Sequence, residues 1–372
     1  MSEASAPFLG KDVVVAVTHR DYPKAKPPHG GPIISALEAL GCHAHRVADG
    51  DPRGLECDLL ILYGNCRAFR AYPQLLKRSR NRPPVAMWQI DPLPPRSIDR
   101  AFEERAMRFA RLFAGPRLLR PIELAAGLPL YHAIATRGLG EYSGPGHQHE
   151  VDLPMTRTVV ETYAALVRAI GEGWLDRPYM STIGKQRFLA ERGIDAGYAP
   201  FGYYDGLGED RQQARDIDVL FIGSLKSGNR GQRLQKILGA IAGTGAQVQV
   251  VDGGVYRERR IKLLNRTKIV LHVHKYPWDT PWMRWAMAAA NGALVVSEPL
   301  ADPEPFEAGR HYFEAPAEEL PATIARLLAN PDVCRAVATR CGDFVRQNFT
   351  LRGSLHTMLS EVFGRSAAVP PS

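Results

Sequence analysis

The segment Phe221-Ile222-Gly223-Ser224-Leu225-Lys226-Ser227-Gly228-Asn229-Arg230-Gly231 follows an apolar run and precedes a helical pattern. Its small residues let backbone N–H groups and the positive end of a helix approach an anion. Lys226, Arg230 and Arg233 add cationic side chains. No Gly-Lys-Ser/Thr follows the glycines and the spacing is not GxGxxG, so neither a Walker loop nor a dinucleotide fingerprint is present. A tight turn that needs glycine geometry is the competing reading. A second loop, Pro27-Pro28-His29-Gly30-Gly31-Pro32, also leads into a helix. Two facing α/β domains would bring both loops to one cleft able to hold a diphosphate.

Three His-x-His pairs occur, His43/His45, His147/His149 and His272/His274. Such a pair on a strand faces one side and could begin a metal site, but no third or fourth ligand accompanies any of them, and no metal is expected. His272 and His274 fit hydrogen bonding at a cleft edge better. Tyr276, Trp278, Trp282 and Trp285 could stack on a base or sugar, although tryptophan at helical spacing is more often core.

The elements that must position these groups alternate strand and helix. Residues 12–17 are a continuous β-branched run. Residues 32–40 carry Ile33, Ile34, Leu37 and Leu40 at helical spacing, with Pro32 suited to a first turn and Gly41 to a helix stop. Further strands are expected at 43–47, 58–63 and 85–90, a long loop at 142–154 and a helix at 155–170. The alternation restarts after Pro200 with strands at 218–222, 247–251, 268–273 and 293–297. Helices are expected at 230–242, 257–265, 281–291 (capped by Thr280 and stopped by Gly292), 318–328, 332–349 and 351–363. The 372 residues suit two domains, read as 1–205, a linker at 206–216, 217–348, and a return helix and tail at 349–372.

Composition narrows the class. No apolar run approaches the roughly 18–20 residues of a membrane span, and residues 1–12 lack the pattern of a secretory signal, so a cytoplasmic protein is expected. The five cysteines have no CxxC spacing and read as buried, reduced thiols. Net charge is +8, and residues 67–120 hold 13 basic against 4 acidic side chains, so an acidic acceptor, an anionic membrane surface or nucleic acid would meet the first half. The competing reading makes Arg100, Arg105, Arg108 and Arg111 the solvated face of a helix whose apolar stripe is Phe102, Ala106, Phe109 and Phe113.

Several segments resemble GT-B glycosyltransferases, in particular the CgeB-like (spore-maturation protein) branch. Gly30-Gly31 is similar to the family's N-domain Gly-Gly near the donor diphosphate. Residues 188–193 and 198–202 resemble the end of the N-domain, and 216–224 the first strand of the C-domain. Lys268–His274, Met283-Arg284-Trp285 with Gly292–Ser297, and Phe306–Arg310 follow the family's order and spacing. The resemblance implies two Rossmann-like domains facing a cleft, with the acceptor mainly on the first, the nucleotide sugar mainly on the second, and the last helix crossing back. It further implies that no metal or other cofactor is obligatory, with basic side chains and helix ends stabilising the departing nucleoside diphosphate. Lys226 and Arg230 are the candidates for that work, with Arg284 nearby. Gly30, Gly31, Gly223, Ser224, Gly228, Arg233, His272 and His274 complete the expected donor surroundings.

One departure stands out. Asp279 and Met287 occupy the positions of the family's two glutamates, the first touching donor sugar and the second the ribose. Asp279 retains a shortened carboxylate, whereas a methionine is a poor acceptor for a ribose diol. Ribose binding then moves to Glu298 or Glu304, or is absent, and Met287 also reads as core packing. If the reaction inverts the anomeric centre, a general base is required on the N-domain face. His19 and Asp91 follow expected strands there, although both residue types also cap loops. Three functions are weighed: transfer of a sugar from a nucleoside diphosphate to an acceptor hydroxyl; a non-catalytic GT-B-like binding or partner protein, motivated by Met287; and a nucleic-acid-directed protein, motivated by the basic stretch, which no aromatic-interleaved motif strengthens.

Overall fold

The computed structural model describes residues 7–18, 30–96, 153–225, 228–252, 254–276, 278–279 and 282–366. Among them the chain forms two wholly parallel sheets. Strands β1 (Asp12–Val17), β2 (His43–Ala48), β3 (Leu59–Gly64), β4 (Val85–Gln89), β5 (Arg177–Met180) and β6 (Gly197–Tyr198) take the order β2-β1-β3-β4-β5-β6. Strands β7 (Ile217–Ile222), β8 (Val248–Val251), β9 (Thr267–His272), β10 (Leu294–Ser297) and β11 (Phe313–Glu314) take the order β11-β10-β9-β7-β8. Read from its other edge, the second sheet repeats the winding of the first. Each has its topological switch beside its first strand, β1 or β7, and in such sheets ligands bind there, beyond the carboxyl ends.

Helices cover both faces, which is why the central strands are continuous apolar runs rather than alternating ones. Val13, Val14, Val15, Ala16 and Val17 are all buried. On one face of the first sheet lie α2 (Tyr72–Arg78), α3 (Leu153–Gly171) and α4 (Ile183–Ala190); on the other, α1 (Gly30–Glu38). The second sheet is covered by α5 (Gly228–Gly243), α6 (Arg257–Asn265), α7 (Met283–Ala290), α8 (Leu320–Leu328) and α9 (Pro331–Gln347). The final helix α10 (Leu351–Ser366) crosses back, packing Leu351, Leu355, Met358 and Leu359 with Ile33 and Leu37 of α1. The outgoing and returning chains are tied where they pass: the Tyr203 N–H donates to the Phe349 carbonyl at 2.7 Å and the Leu351 N–H to the Tyr203 carbonyl at 2.8 Å.

Several expectations shift. The 281–291 helix runs only over Met283–Ala290 and its N-cap position is Trp282, with no side-chain cap; Thr280 and Pro281 lie outside the described residues. So do 142–152 of the expected long loop, whose last two residues already belong to α3, and the proposed Arg100–Arg111 face. Segment 206–216 has the composition of a flexible connector, yet it is pinned to the second half. Buried Asn265 donates to the Glu209 carbonyl and accepts from the Arg211 N–H, while buried Asn291 donates to the Leu207 carbonyl. Gly292, at φ +70°, leaves no room for a side chain beside Asp210 and Arg215.

The five cysteines are free thiols, three of them buried. Burial pushes the Cys57 thiol up to about 11 and Cys341 up to about 12. None of the helices among the described residues is long and apolar enough to cross a membrane.

His311 offers a pH test of the packing. It is buried, its Nδ1 accepts from the Glu307 N–H at 3.1 Å, and its ring lies 4.6 Å from that of Phe344. Burial holds its pKa below the ordinary 6.5, with Arg310 and Arg340 acting in the same direction against Glu307. The unfolded chain therefore binds the proton more readily. This contribution is complete above pH 6.5 and is lost as the pH falls below that value towards the folded pKa, at up to about 1.4 kcal/mol per pH unit. A His311→Asn variant should show a flatter Tm profile between about pH 7.5 and 5.5; an unchanged slope would refute the assignment.

Candidate functional site

The carboxyl ends of β7, β9 and β10 gather most of the donor-side candidates. Gly223 ends β7 at φ +154°, a conformation that favours glycine, and a Cβ there would lie 3.1 Å from the Phe221 ring and 3.6 Å from the Arg284 guanidinium. Arg284 projects from α7 and donates to the Ile222 carbonyl at 3.0 Å and to His272 Nδ1 at 2.7 Å. An arginine can only donate, so His272 accepts through Nδ1 and carries its proton on Nε2. The cation is thereby fixed where β7 turns through Gly223 and Ser224 towards α5.

Behind it lies a buried ionic anchor. Glu298, wholly buried just past β10, accepts from both terminal nitrogens of Arg233, a residue of α5, and also takes the His274 backbone N–H at 2.8 Å. His274 is buried too, with its ring 5.0 Å from His272 and its Nε2 3.1 Å from the Pro299 carbonyl. This corrects the expectation that Glu298 supplies a ribose contact: its carboxylate is enclosed and committed to Arg233 and to the backbone. Arg233, expected among the donor contacts, is correspondingly engaged inward. The pair fixes α5 and the β9 end relative to β10.

Glu304, the other candidate, is engaged in an ion pair. Arg187 of α4 grips it at 2.9 Å with both terminal nitrogens, and also reaches Asp302 at 3.1 Å. Arg187 holds the Glu304 carboxyl below the usual carboxylate range. Met287 is half-buried against the small cluster of Leu207, Ala286 and Ala290, in line with the packing reading. Trp282 and Trp285 are core, at 3% and 0% exposure.

On the facing half, Asp91 follows β4 and accepts from the Asn65 side-chain amide just past β3. Beside it lie Trp278 and Asp279, which the sequence reading names without these partners, and Lys185, which it does not name. Trp278 comes from the second half, yet it is buried in the core of the first and donates to the Leu93 carbonyl at 2.8 Å. Asp279 beside it accepts from the Thr182 hydroxyl at 3.0 Å and lies 3.4 Å from the Lys185 ammonium. Lys185 also donates to Ser181 Oγ at 2.7 Å and to the Ile90 carbonyl at 3.1 Å. No motif in the sequence singles out Lys185.

His19, Lys226 and the His147/His149 pair lie outside the described residues, and of Gly30, Gly228 and Arg230 only the backbone is described. Gly30 and Gly31 begin α1; Gly228 begins α5, with Arg230 in its first turn. His43 and His45 are exposed on β2. Among the described residues no group of three or more His, Cys, Asp or Glu is placed to hold a metal ion. The basic stretch is partly neutralised: Arg67 pairs with Glu161, Lys77 with Glu172 and Arg82 with Asp176. Arg96 pairs with Glu191 and Asp302.

This architecture is the GT-B fold. Sucrose-phosphate synthase from Thermosynechococcus elongatus superimposes with a TM-score of 0.58 at 12% identity, over 96% of this chain and 100% of its own. An α-glucosyltransferase solved with UDP and a 13-mer DNA containing an HMU base gives 0.55 at 8% identity, over 95% of this chain and 100% of its own. Anabaena Alr3699/HepE solved with UDP gives 0.53 at 12% identity, over 95% and 100%. Residues 215–360 match the family described as glycosyl transferase-like. No curated protein matches the chain in sequence.

Proposed function

We propose that the protein is a glycosyltransferase that takes a sugar from a nucleoside diphosphate, held mainly by the second half, and passes it to a hydroxyl of an acceptor on the first. The observation that carries this reading is Arg284, anchored beside Gly223 at the β7 switch point, within the segment that matches the glycosyl transferase-like family. In the reaction the acceptor oxygen bonds to the anomeric carbon, the bond from that carbon to the diphosphate oxygen breaks, and the acceptor proton leaves to a base. Negative charge grows on the diphosphate, where Arg284, Lys226, Arg230 and the N-terminus of α5 would stabilise it. Asp91 is our candidate base for an inverting reaction. We further infer CgeB-like affinity and no obligatory metal, on the supply of cationic side chains. UDP is the first nucleotide to test, because two of the similar structures contain it.

Met287 favours a second reading, a binding protein without turnover, since its apolar packing offers no carboxylate to a ribose. A thermal-shift panel of UDP, GDP, dTDP and their sugars separates the two when joined to an assay of diphosphate release. A nucleotide at 100 times its Kd raises stability by about 2.7 kcal/mol. One nucleotide is expected to do so, and Arg230→Ala to remove most of the shift; silence toward the whole panel would overturn the proposal.

A further inference from the structure

We infer that Lys185 is a positioning residue that reaches from the first half to set the Asp279 carboxylate of the second against the donor sugar. The inference rests on the nucleotide-sugar reading above. Lys185 lies on α4 of the first half with only 4% of its side chain exposed, and Asp279, from the second half, is 9% exposed. Withdrawing two opposite charges from water is costly and often stabilises less than an apolar pair of the same volume would. A pair serving cohesion alone would be better apolar, and the neighbouring residue supplies that cohesion: Trp278 is sunk into the core of the first half and hydrogen-bonded to Leu93.

The geometry gives the charges another task. An ammonium has three donors, and Lys185 directs them to Ser181 Oγ, the Ile90 carbonyl and Asp279. It therefore joins the strand end that carries Asp91 to the carboxylate from the opposite half. Thr182 adds to this. It occupies the N-cap position of α4, yet makes no cap hydrogen bond and gives its hydroxyl to Asp279 instead. A threonine at this position ordinarily stabilises a helix by capping its first turn, so the local sequence forgoes stability to orient this carboxylate. An ionised carboxylate has about four acceptor sites. Two held by the first half leave others for sugar hydroxyls.

The consequence is selective. The carboxylate meets the sugar and not the nucleotide, so Lys185→Met should leave the affinity for the free nucleoside diphosphate within about twofold. It should lower kcat/KM for the nucleotide sugar by about 10- to 100-fold, the value of one charge-assisted hydrogen bond. Asp279→Asn should do the same, and the double variant should lose no more than the worse single one, because the two act as a unit. A merely structural lysine would instead weaken diphosphate binding and turnover together. Thr182→Val, which keeps the shape and removes the other donor, decides the matter should Lys185→Met not fold; a smaller loss in the same direction is expected. Wild-type kcat/KM in these variants, or losses that add in the double variant, would overturn the role of Lys185 alone. A wild-type protein silent toward every donor would overturn the reading beneath it and the role together.

Discussion

Arg284→Ala is expected to lower kcat/KM for the nucleotide-sugar donor by about 10²–10³-fold, the usual cost of removing one preorganised group that meets developing charge. The side chain is suited to that role because it is already oriented. Ile222 and His272 hold the guanidinium, and the Phe221 ring lies 5.7 Å beneath it. Gly223 contributes by lacking a side chain, since a Cβ there would crowd the Phe221 ring beneath the cation. Arg284→Lys should recover only part of the loss, since one ammonium cannot reproduce a planar fork spanning a carbonyl and an imidazole. The thermal midpoint should change far less than the turnover. Equal turnover in Arg284→Ala and the wild type would remove this arginine from the reaction.

The strand-helix alternation was legible because parallel strands buried on both faces must be apolar throughout, as in Val13–Val17 and Ile269–Leu271. The segment 177–198 hid for the opposite reasons. Strand β5 carries Pro178, a residue that argues against a central strand, and β6 has two residues. Helix α4 buries Gly184, Lys185, Phe188 and Leu189, and so shows no single apolar stripe. The glycine-rich strand-to-helix turns were legible because that pattern is local in sequence, whereas Arg284 came into view only through the family resemblance. Lys185–Asp279 and Trp278–Leu93 were not legible, since they join residues 94 and 185 positions apart and depend on how one half is set against the other. Glu298 was misjudged for a related reason: a carboxylate after a strand reads as accessible until its partner on another helix is known.

The pairing of this wholly buried carboxylate with Arg233 makes Glu298 the site of the largest expected change in stability. Glu298→Ala should cost about 3–5 kcal/mol, because it leaves the Arg233 charge enclosed without its counter-charge. It also removes the acceptor for the His274 N–H, a group buried beside it. Glu298→Gln restores an acceptor but no charge, and should recover only part of the loss. The decisive comparison is the double variant Arg233→Met, Glu298→Leu. If the penalty comes from a stranded charge, removing both partners should return much of the stability lost in Glu298→Ala, with the unmade His274 bond still costing about 1–3 kcal/mol. If instead the carboxylate matters chiefly for packing, the double variant will unfold as readily as Glu298→Ala in urea. On the first outcome the pair is scaffolding whose removal is tolerated by the fold, and any remaining defect in nucleotide binding then measures how strictly the end of β9 and the start of α5 must be held for the diphosphate.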